Sequence, residues 1–395
     1  MKASWAFEDA RCRALAATHG TPTFAYSASV ACSTWRRLRA ALPTRVRLAY
    51  AVKANPLPEL LGAFADLGAS FDVASAGELG RLRALDVPAD RLFFTGPAKR
   101  DVEVFDAVRL GVRLQAEGFE DLQRADAAAR ELGLDEVAVN LRVQPLGVDE
   151  AGHAGGSILG GSGPTAFGID EEDLPAVLDA AARLDRLRVR GLHGFAASNE
   201  RDADRLLAHH ERMFAIGHRM QVEHGLALEQ IDLGGGLGVP YAAEQAPLDL
   251  DRFGRGLAAL IDREAWFGGE VILEPGRFLA APCGVYLTRV VRIKESRGER
   301  FALLDGGIHH LIRPVLTGEP FPIRCVEPKL DARGPAVAHT LAGPLCTALD
   351  RLGRVELPPL RRGDLLALGQ VGAYGATEAL THFLDHAPAQ EVWVR

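Results

Sequence analysis

Short β-type runs, each followed by an Ala/Leu/Arg-rich helical stretch, recur through the first ~275 residues of this 395-residue chain. Strands are read at Val46–Val52, Ser70–Val73, Leu92–Thr95, Val112–Gln115, Val137–Val143, Val189–His193, Gln230–Leu233 and Val271–Glu274. Helical segments such as Leu57–Leu67, Ala76–Leu85, Leu174–Leu184 and Ala203–His224 separate them. Strict alternation builds parallel βα units. Eight such units fit an α/β fold closed as a (β/α)8 barrel; a doubly wound sheet can also use eight, and the count favours the barrel.

After Glu274 the pattern changes. Val285–Ile293, Phe301–Asp305, Pro322–Val326, Ala338–Leu341, Leu365–Leu368 and Glu391–Val394 read as strands without helices between them, punctuated by Gly and Pro. That describes an antiparallel sandwich or barrel. The expected division is a barrel over 25–278 and a β domain over 279–395, with residues 1–24 assigned to the latter. The length fits two domains.

Charge removes several classes of function. Lys and Arg total 45 against 52 Asp and Glu, a net charge of −7, so no basic face for nucleic acid or an anionic membrane is expected. No run approaches the ~18–20 apolar residues of a membrane span, and the amino-terminal MKASWAFEDARCR lacks a signal-type apolar stretch. The 5 cysteines are scattered without CxxC spacing, which argues for a reducing, cytoplasmic setting and against a disulfide framework or zinc site. His209-His210-Glu211 reads as a solvated helix face rather than a metal site. His309-His310 reads either as lining a substrate entrance or as exposed. Cys12, Cys32, Cys283 and Cys325 read as buried or inert.

In a (β/α)8 barrel the chemistry sits at the carboxyl ends of the strands. The strand ends here carry, in chain order, Lys53; Asp72 and Ser75; Thr95 and Gly96; Glu117; Arg142; His193 and Ser198; Gly234–Gly236; then Glu274 and Arg277. Lys53 ends the run LAYAVKANP, where partial desolvation would favour a neutral amine able to attack an aldehyde; an ion pair capping the barrel mouth is the plainer reading. In DLGGGLG (232–238) three glycines let backbone N–H groups approach an anion, though a tight turn needs no more. EPGR (274–277) adds a carboxylate and a Pro-Gly turn. A reactive lysine, an anion cradle and an acid together suit pyridoxal 5′-phosphate. The glycine-rich stretch Ala151–Gly163 reads as a linker or a lid.

The ordered motifs YAVKANP, FDVASAGEL, LRVQP, TAFGID, GLHGFAASN, DLGGGLG, EPGRFL, GPLCTALD and GAYG give a chain that resembles the fold-type III pyridoxal-phosphate-dependent amino-acid decarboxylases, including those for ornithine, arginine and diaminopimelate. The resemblance implies an alanine-racemase-like barrel with a carboxyl-terminal β domain. It implies that Lys53 carries the aldimine and that Glu274 keeps the pyridine nitrogen protonated, so that the ring can hold the electrons of a quinonoid. Gly235, Gly236, Gly276, Arg277, Ser198 and Tyr374 would surround the phosphate, and Asp72 and Arg142 would order Lys53 and the cofactor rim. Cys346, from the partner subunit of a homodimer, would return the proton to Cα.

Departures from the family pattern concern the substrate. The family's HxHxGS becomes His193-Gly-Phe195-Ala-Ala-Ser198, so Phe195 takes the place of the ring-stacking histidine. The usual Cys-Asp or Cys-Glu becomes Cys346-Thr347, which removes the acid that binds a distal ammonium. Arg313 matches an arginine aimed at a distal carboxylate, but the tyrosine expected four residues later is Thr317. Asp350, Glu378 or a lid residue is left to replace the missing acid. These changes resemble a biosynthetic-cluster subgroup whose members decarboxylate a glutamyl group on an acyl-carrier protein. Competing expectations are a diaminopimelate- or ornithine-type decarboxylase acting on a free amino acid, an amino-acid racemase, and a non-catalytic pyridoxal-phosphate carrier or binding module. Glu274 favours decarboxylation over racemisation, because racemases of this fold place an arginine there.

Overall fold

The computed structural model of the chain describes residues 5–146, 164–195, 197–326 and 335–395. The stretch Ala151–Gly163 lies outside the described residues. Two compact units are formed: one from 35–238 and 248–276, the other from 1–34, 239–247 and 277–395. The division therefore falls about ten residues later than expected near the amino terminus, and a short segment within the barrel sequence, 239–247, belongs to the second unit.

The first unit is the barrel. Its strands are β1 (Val46–Ala51), β2 (Ser70–Val73), β3 (Leu92–Phe94), β4 (Arg113–Ala116), β5 (Val137–Gln144), β6 (Leu187–His193), β7 (Gln230–Asp232) and β8 (Glu270–Leu273). All pair in parallel in the order β4-β3-β2-β1-β8-β7-β6-β5, and β4 pairing with β5 closes the ring. Strands covered on both faces need apolar residues on both, which is why VRLAYA and EVIL read as continuous rather than alternating runs. Register then places the functional ends together. Asp72 pairs with Ala51, just before the turn that carries Lys53, while His193 and Ile272 both pair with Asp232.

The long helix Ala203–His224 starts where Asp202 caps it, its carboxylate accepting from the Asp204 and Arg205 amides at 2.8 and 3.4 Å. It ends at Gly225, whose φ of +64° suits a left-handed cap. Leu206, His209, His210, Met213, Phe214, Gly217 and Met220 form its buried stripe at helical spacing. The expectation of a solvated face at His209-His210 is thus corrected: both imidazoles sit on the apolar side, with the His210 ring 5.7 Å from that of Phe253. Glu211 points outward and pairs with Arg263.

In the second unit a sheet runs 323–325, 365–369, 284–296, 299–304, 337–342, 351–357, and strand Thr23–Ser27 joins it by pairing with both 284–296 and 390–394. Most pairings are antiparallel; 23–27 with 390–394 and 299–304 with 337–342 are parallel. Helix Asp9–His19 packs Cys12, Leu15 and Ala16 against Ala25, Val285, Leu287, Leu365 and Ala367. His309 and His310 are buried here, which corrects the reading that left them exposed; His310 Nδ1 lies 2.9 Å from the Tyr286 hydroxyl. Among the described residues no helix is long and apolar enough to cross a membrane.

Candidate active site

At the carboxyl rim of the barrel, β1 runs into a single 3-10 turn, Val52–Ala54, that lifts Lys53 clear of the strand. Its Nζ lies 3.0 Å from Asp72 Oδ2; the lysine side chain is 36% exposed and that of Asp72 is wholly buried. Thr95, after β3, donates to the other oxygen of Asp72. Burial pushes the Asp72 carboxyl up, the nearby charge of Glu274 adds to this, and Lys53 offsets only part. Asp72 is therefore a carboxylate whose ionised form depends on a cation staying beside it.

Glu274 follows β8 and is buried. Its Oε2 lies 3.3 Å from His193 Nε2 at the end of β6. Burial opposes its charge, but His193 and Lys53 outweigh burial and hold it down to about 2. Asp232, at the end of β7, is pushed well above the ordinary carboxylate range by burial and by Glu274. Burial and the neighbouring charges thus favour a protonated Asp232 hydrogen-bonded to an ionised Glu274. Asp232 accepts from Gln115 Nε2 at 3.0 Å and from the Gly234 amide at 2.9 Å, so its position is fixed. His193, Asp232 and Glu274 offer ligand atoms within 4.8 Å of one another. Glu274 Oε1 and His193 Nδ1, by contrast, have no hydrogen-bond partner among the described residues. Besides the Asp232 proton, the buried Glu274 carboxylate can accept from a donor on a bound group.

The glycine loop fits an anion, and it is glycine-rich for a further reason. A Cβ at Gly234 would lie 2.2 Å from the Gly194 carbonyl oxygen, and one at Gly236 2.5 Å from that of Ala197. The loops after β6 and β7 are laid backbone on backbone, so glycine is required before any ligand arrives. The amides of Gly235, Gly236 and Gly276 nevertheless have no protein acceptor among the described residues. Phe195 is half-buried beside this loop, its ring 3.8 Å from where a Gly235 Cβ would stand. Ser198 is half-buried in the same segment. Arg142 is 2.8 Å from Glu117 Oε1 and lies 4.7 Å over the Phe167 ring, so it braces the rim. An aldehyde-reactive amine, an ionised carboxylate for a ring nitrogen, a flat aromatic face and unpaired amides for a phosphate are the donor set that pyridoxal 5′-phosphate needs.

The remaining expected residues lie in the second unit. Arg277 Nη1 donates to the Tyr241 hydroxyl at 2.8 Å, and its guanidinium lies 4.6 Å over the Tyr374 ring. Tyr374 has a φ of +57°, a costly conformation for a bulky residue. Arg313, 4% exposed, lies 4.5 Å over the other aromatic partner, Tyr241. Cys346 is exposed and Thr347 half-buried, on a turn where the Thr347 hydroxyl accepts from the Leu349 amide at 3.3 Å. Asp350 is not available as a replacement acid. Its two oxygens accept from the Ile308 and Leu345 amides at 2.8 and 2.7 Å, which pins the turn carrying Cys346. Glu378 is half-buried; burial raises it while Arg277 and Arg313 pull it down.

Sequence reading missed three residues that the structure makes prominent. Asp232 stands inside the DLGGGLG motif at a strand end, where position alone marked it. Tyr241 and Glu319 carry no such mark, because they lie in connections whose course the pattern of strands does not set.

Comparison with known proteins identifies the family and the fold. The family model for the pyridoxal-binding domain of pyridoxal-dependent decarboxylases matches residues 30–281. An L-glutamyl-(BtrI acyl-carrier protein) decarboxylase from Niallia circulans is 31% identical over 98% of this chain and 92% of its own length. A diaminopimelate decarboxylase from Zymomonas mobilis is 34% identical over 94% of this chain and 87% of its own. The structure of diaminopimelate decarboxylase from Helicobacter pylori complexed with L-lysine superposes with a TM-score of 0.88 at 25% identity, covering 97% of this chain and 94% of that one.

Proposed function

The chain belongs to the pyridoxal-dependent decarboxylases, with pyridoxal 5′-phosphate as its cofactor, and from that premise we propose that its substrate is a glutamyl group held on an acyl-carrier protein rather than a free diamino acid. The observation that carries this reading is Thr347 after Cys346, a hydroxyl where a free diamino substrate needs a carboxylate for its distal ammonium. The Niallia circulans relative is named for a carrier-linked glutamyl substrate, which supports the same class.

When bound, the cofactor supplies an aldehyde that joins amines and a ring that accepts the electron pair released with carbon dioxide. Lys53, held in place by Asp72, would be the amine that meets the aldehyde. Glu274 would accept from the ring nitrogen and so keep it protonated. His193 steadies Glu274, and Asp232 keeps its own proton and so leaves that carboxylate charged. The amides of Gly235, Gly236 and Gly276, with Ser198, would hold the phosphate, and the family pattern assigns Arg277 and Tyr374 to that group as well. Phe195 would stack on the ring, and Arg142 keeps the rim in shape.

Cys346 delivers the proton to Cα. Its exposed turn suits a residue that works in the partner's site, and exposed Leu349 at 63% and Leu316 at 49% fit the interface of a cytoplasmic homodimer. Carbon dioxide release from a panel tests the substrate: a glutamyl thioester of a carrier protein, L-glutamate, L-ornithine, L-lysine and meso-diaminopimelate. Release fastest from the thioester is expected. Preference for meso-diaminopimelate or ornithine overturns the substrate class, and Cα proton exchange without gas release overturns decarboxylation itself.

A further inference from the structure

Arg313 opens the short helix Arg313–Thr317, and that helix ends at Gly318 with φ +70°, a turn that sends the chain straight back. Thr317, where the family pattern has a tyrosine, donates its hydroxyl to the Arg313 carbonyl at 3.0 Å and accepts from the Glu319 amide at 3.2 Å. The reversal brings Glu319 onto the residue that began the helix: Arg313 Nη2 donates to Glu319 Oε2 at 2.8 Å. Gln245 Nε2 lies 3.4 Å from the other carboxylate oxygen. Tyr241 covers the guanidinium from one side. The Arg313 Nε–H is left over, buried and without a hydrogen-bond partner among the described residues.

A guanidinium binds a carboxylate well because two parallel N–H donors meet two oxygens. Here a carboxylate from the same turn has already taken part of that fork. A second carboxylate would come up against Glu319, like charge against like charge, beside a guanidinium that is buried while Glu319 is half-buried. The buried Nε–H suits a single neutral carbonyl oxygen instead.

Resting on the reading that Arg313 meets the distal end of the substrate, we infer that Glu319 is a specificity-determining residue, which occupies the carboxylate side of Arg313 and leaves its Nε–H to an amide or thioester carbonyl. Selection works chiefly by rejection: the fixed anion excludes substrates that end in a free carboxylate. Arg313 by itself would attract them.

L-glutamine and L-glutamate differ only in the distal group, and the binding of each can be read from the visible band of the holoenzyme on mixing, before turnover. Wild type is expected to bind L-glutamine at least about tenfold more tightly than L-glutamate, and Glu319→Gln and Glu319→Ala to shift that ratio at least about tenfold toward L-glutamate. Glu319→Asp should restore most of the wild-type ratio; an intact cofactor band reports that each variant is folded. A ratio constant within about twofold across all variants overturns the inference, as does wild-type preference for L-glutamate or no response to either amino acid. Failure of the carrier-linked reading shows elsewhere, as absence of gas release from the thioester, and leaves this ratio to stand or fall separately.

Discussion

The barrel rim and the arginine–tyrosine cluster of the β unit are both buried, charged and built from residues distant in sequence, yet they are assembled by different means. On the rim, Lys53, Asp72, His193, Asp232 and Glu274 each stand at or just beyond the end of a parallel strand. Closing the barrel brings them together whatever the loops do. In the β unit, Arg277, Tyr241, Arg313, Glu319 and Tyr374 sit on turns, short helical pieces and connections. The first arrangement keeps one chemistry constant, and the second can change its partners by altering a turn. On the proposed reading the amine and the ring-nitrogen acid belong with the frame, while Arg313 and Glu319, which would meet the substrate, belong with the part free to vary.

Lys53 gives the harshest trial of that contrast. Lys53→Ala should abolish the visible absorbance of the cofactor linkage and lower kcat by at least ~10³-fold. Lys99, in the loop after β3, cannot stand in for it, being buried and paired with Asp121 at 3.1 Å. Mixing that variant with Cys346→Ala, itself slow, should restore about a quarter of wild-type activity if each site draws its cysteine from the partner. No recovery would place Cys346 in the same subunit's site or outside the reaction.

Glu274→Gln should keep the cofactor but lower kcat by about 10²–10³-fold, since an amide cannot hold the ring nitrogen protonated. A pH effect accompanies it. Glu274 is held at about 2, below the ~4.3 of an unfolded glutamate. The stability it lends is therefore fully present above about pH 4.3 and is lost as pH falls through 2. Urea midpoints of the apoproteins should separate wild type from Glu274→Gln at pH 7 and converge near pH 2. A gap that widens in acid would reverse the assignment of charge between Glu274 and Asp232.

The mildest change lies on the frame away from both clusters. Asp202→Ala removes the cap of helix Ala203–His224 and should cost about 1 kcal/mol, seen as a small drop in Tm with kcat/KM unchanged. A large loss of activity there would mean that the frame and the chemistry are less separable than the contrast implies.

Legibility followed the same division. The eight barrel strands and helix Ala203–His224 stand where apolar patterning put them. Strand Arg351–Leu357 was missed because three of its residues are charged and Gly353 interrupts it, and Thr23–Ser27 because it is buried on both faces and so shows no alternation. His209 and His210 were misplaced outward: an imidazole counts as polar in a sequence pattern but is tolerated neutral in a core, and burial pushes both down, His209 to about 4.

The order of apolar runs and the identity of the residue closing each were set by the sequence alone, because in a parallel barrel the strand ends must converge. Which carboxyl keeps the proton, that Asp350 is consumed by two backbone amides, and that Glu319 turns back onto Arg313 were decided only by the tertiary structure. Those outcomes depend on distances of about 3 Å between groups far apart along the chain, and charge and hydrogen bonding fall off too steeply for sequence spacing to specify them.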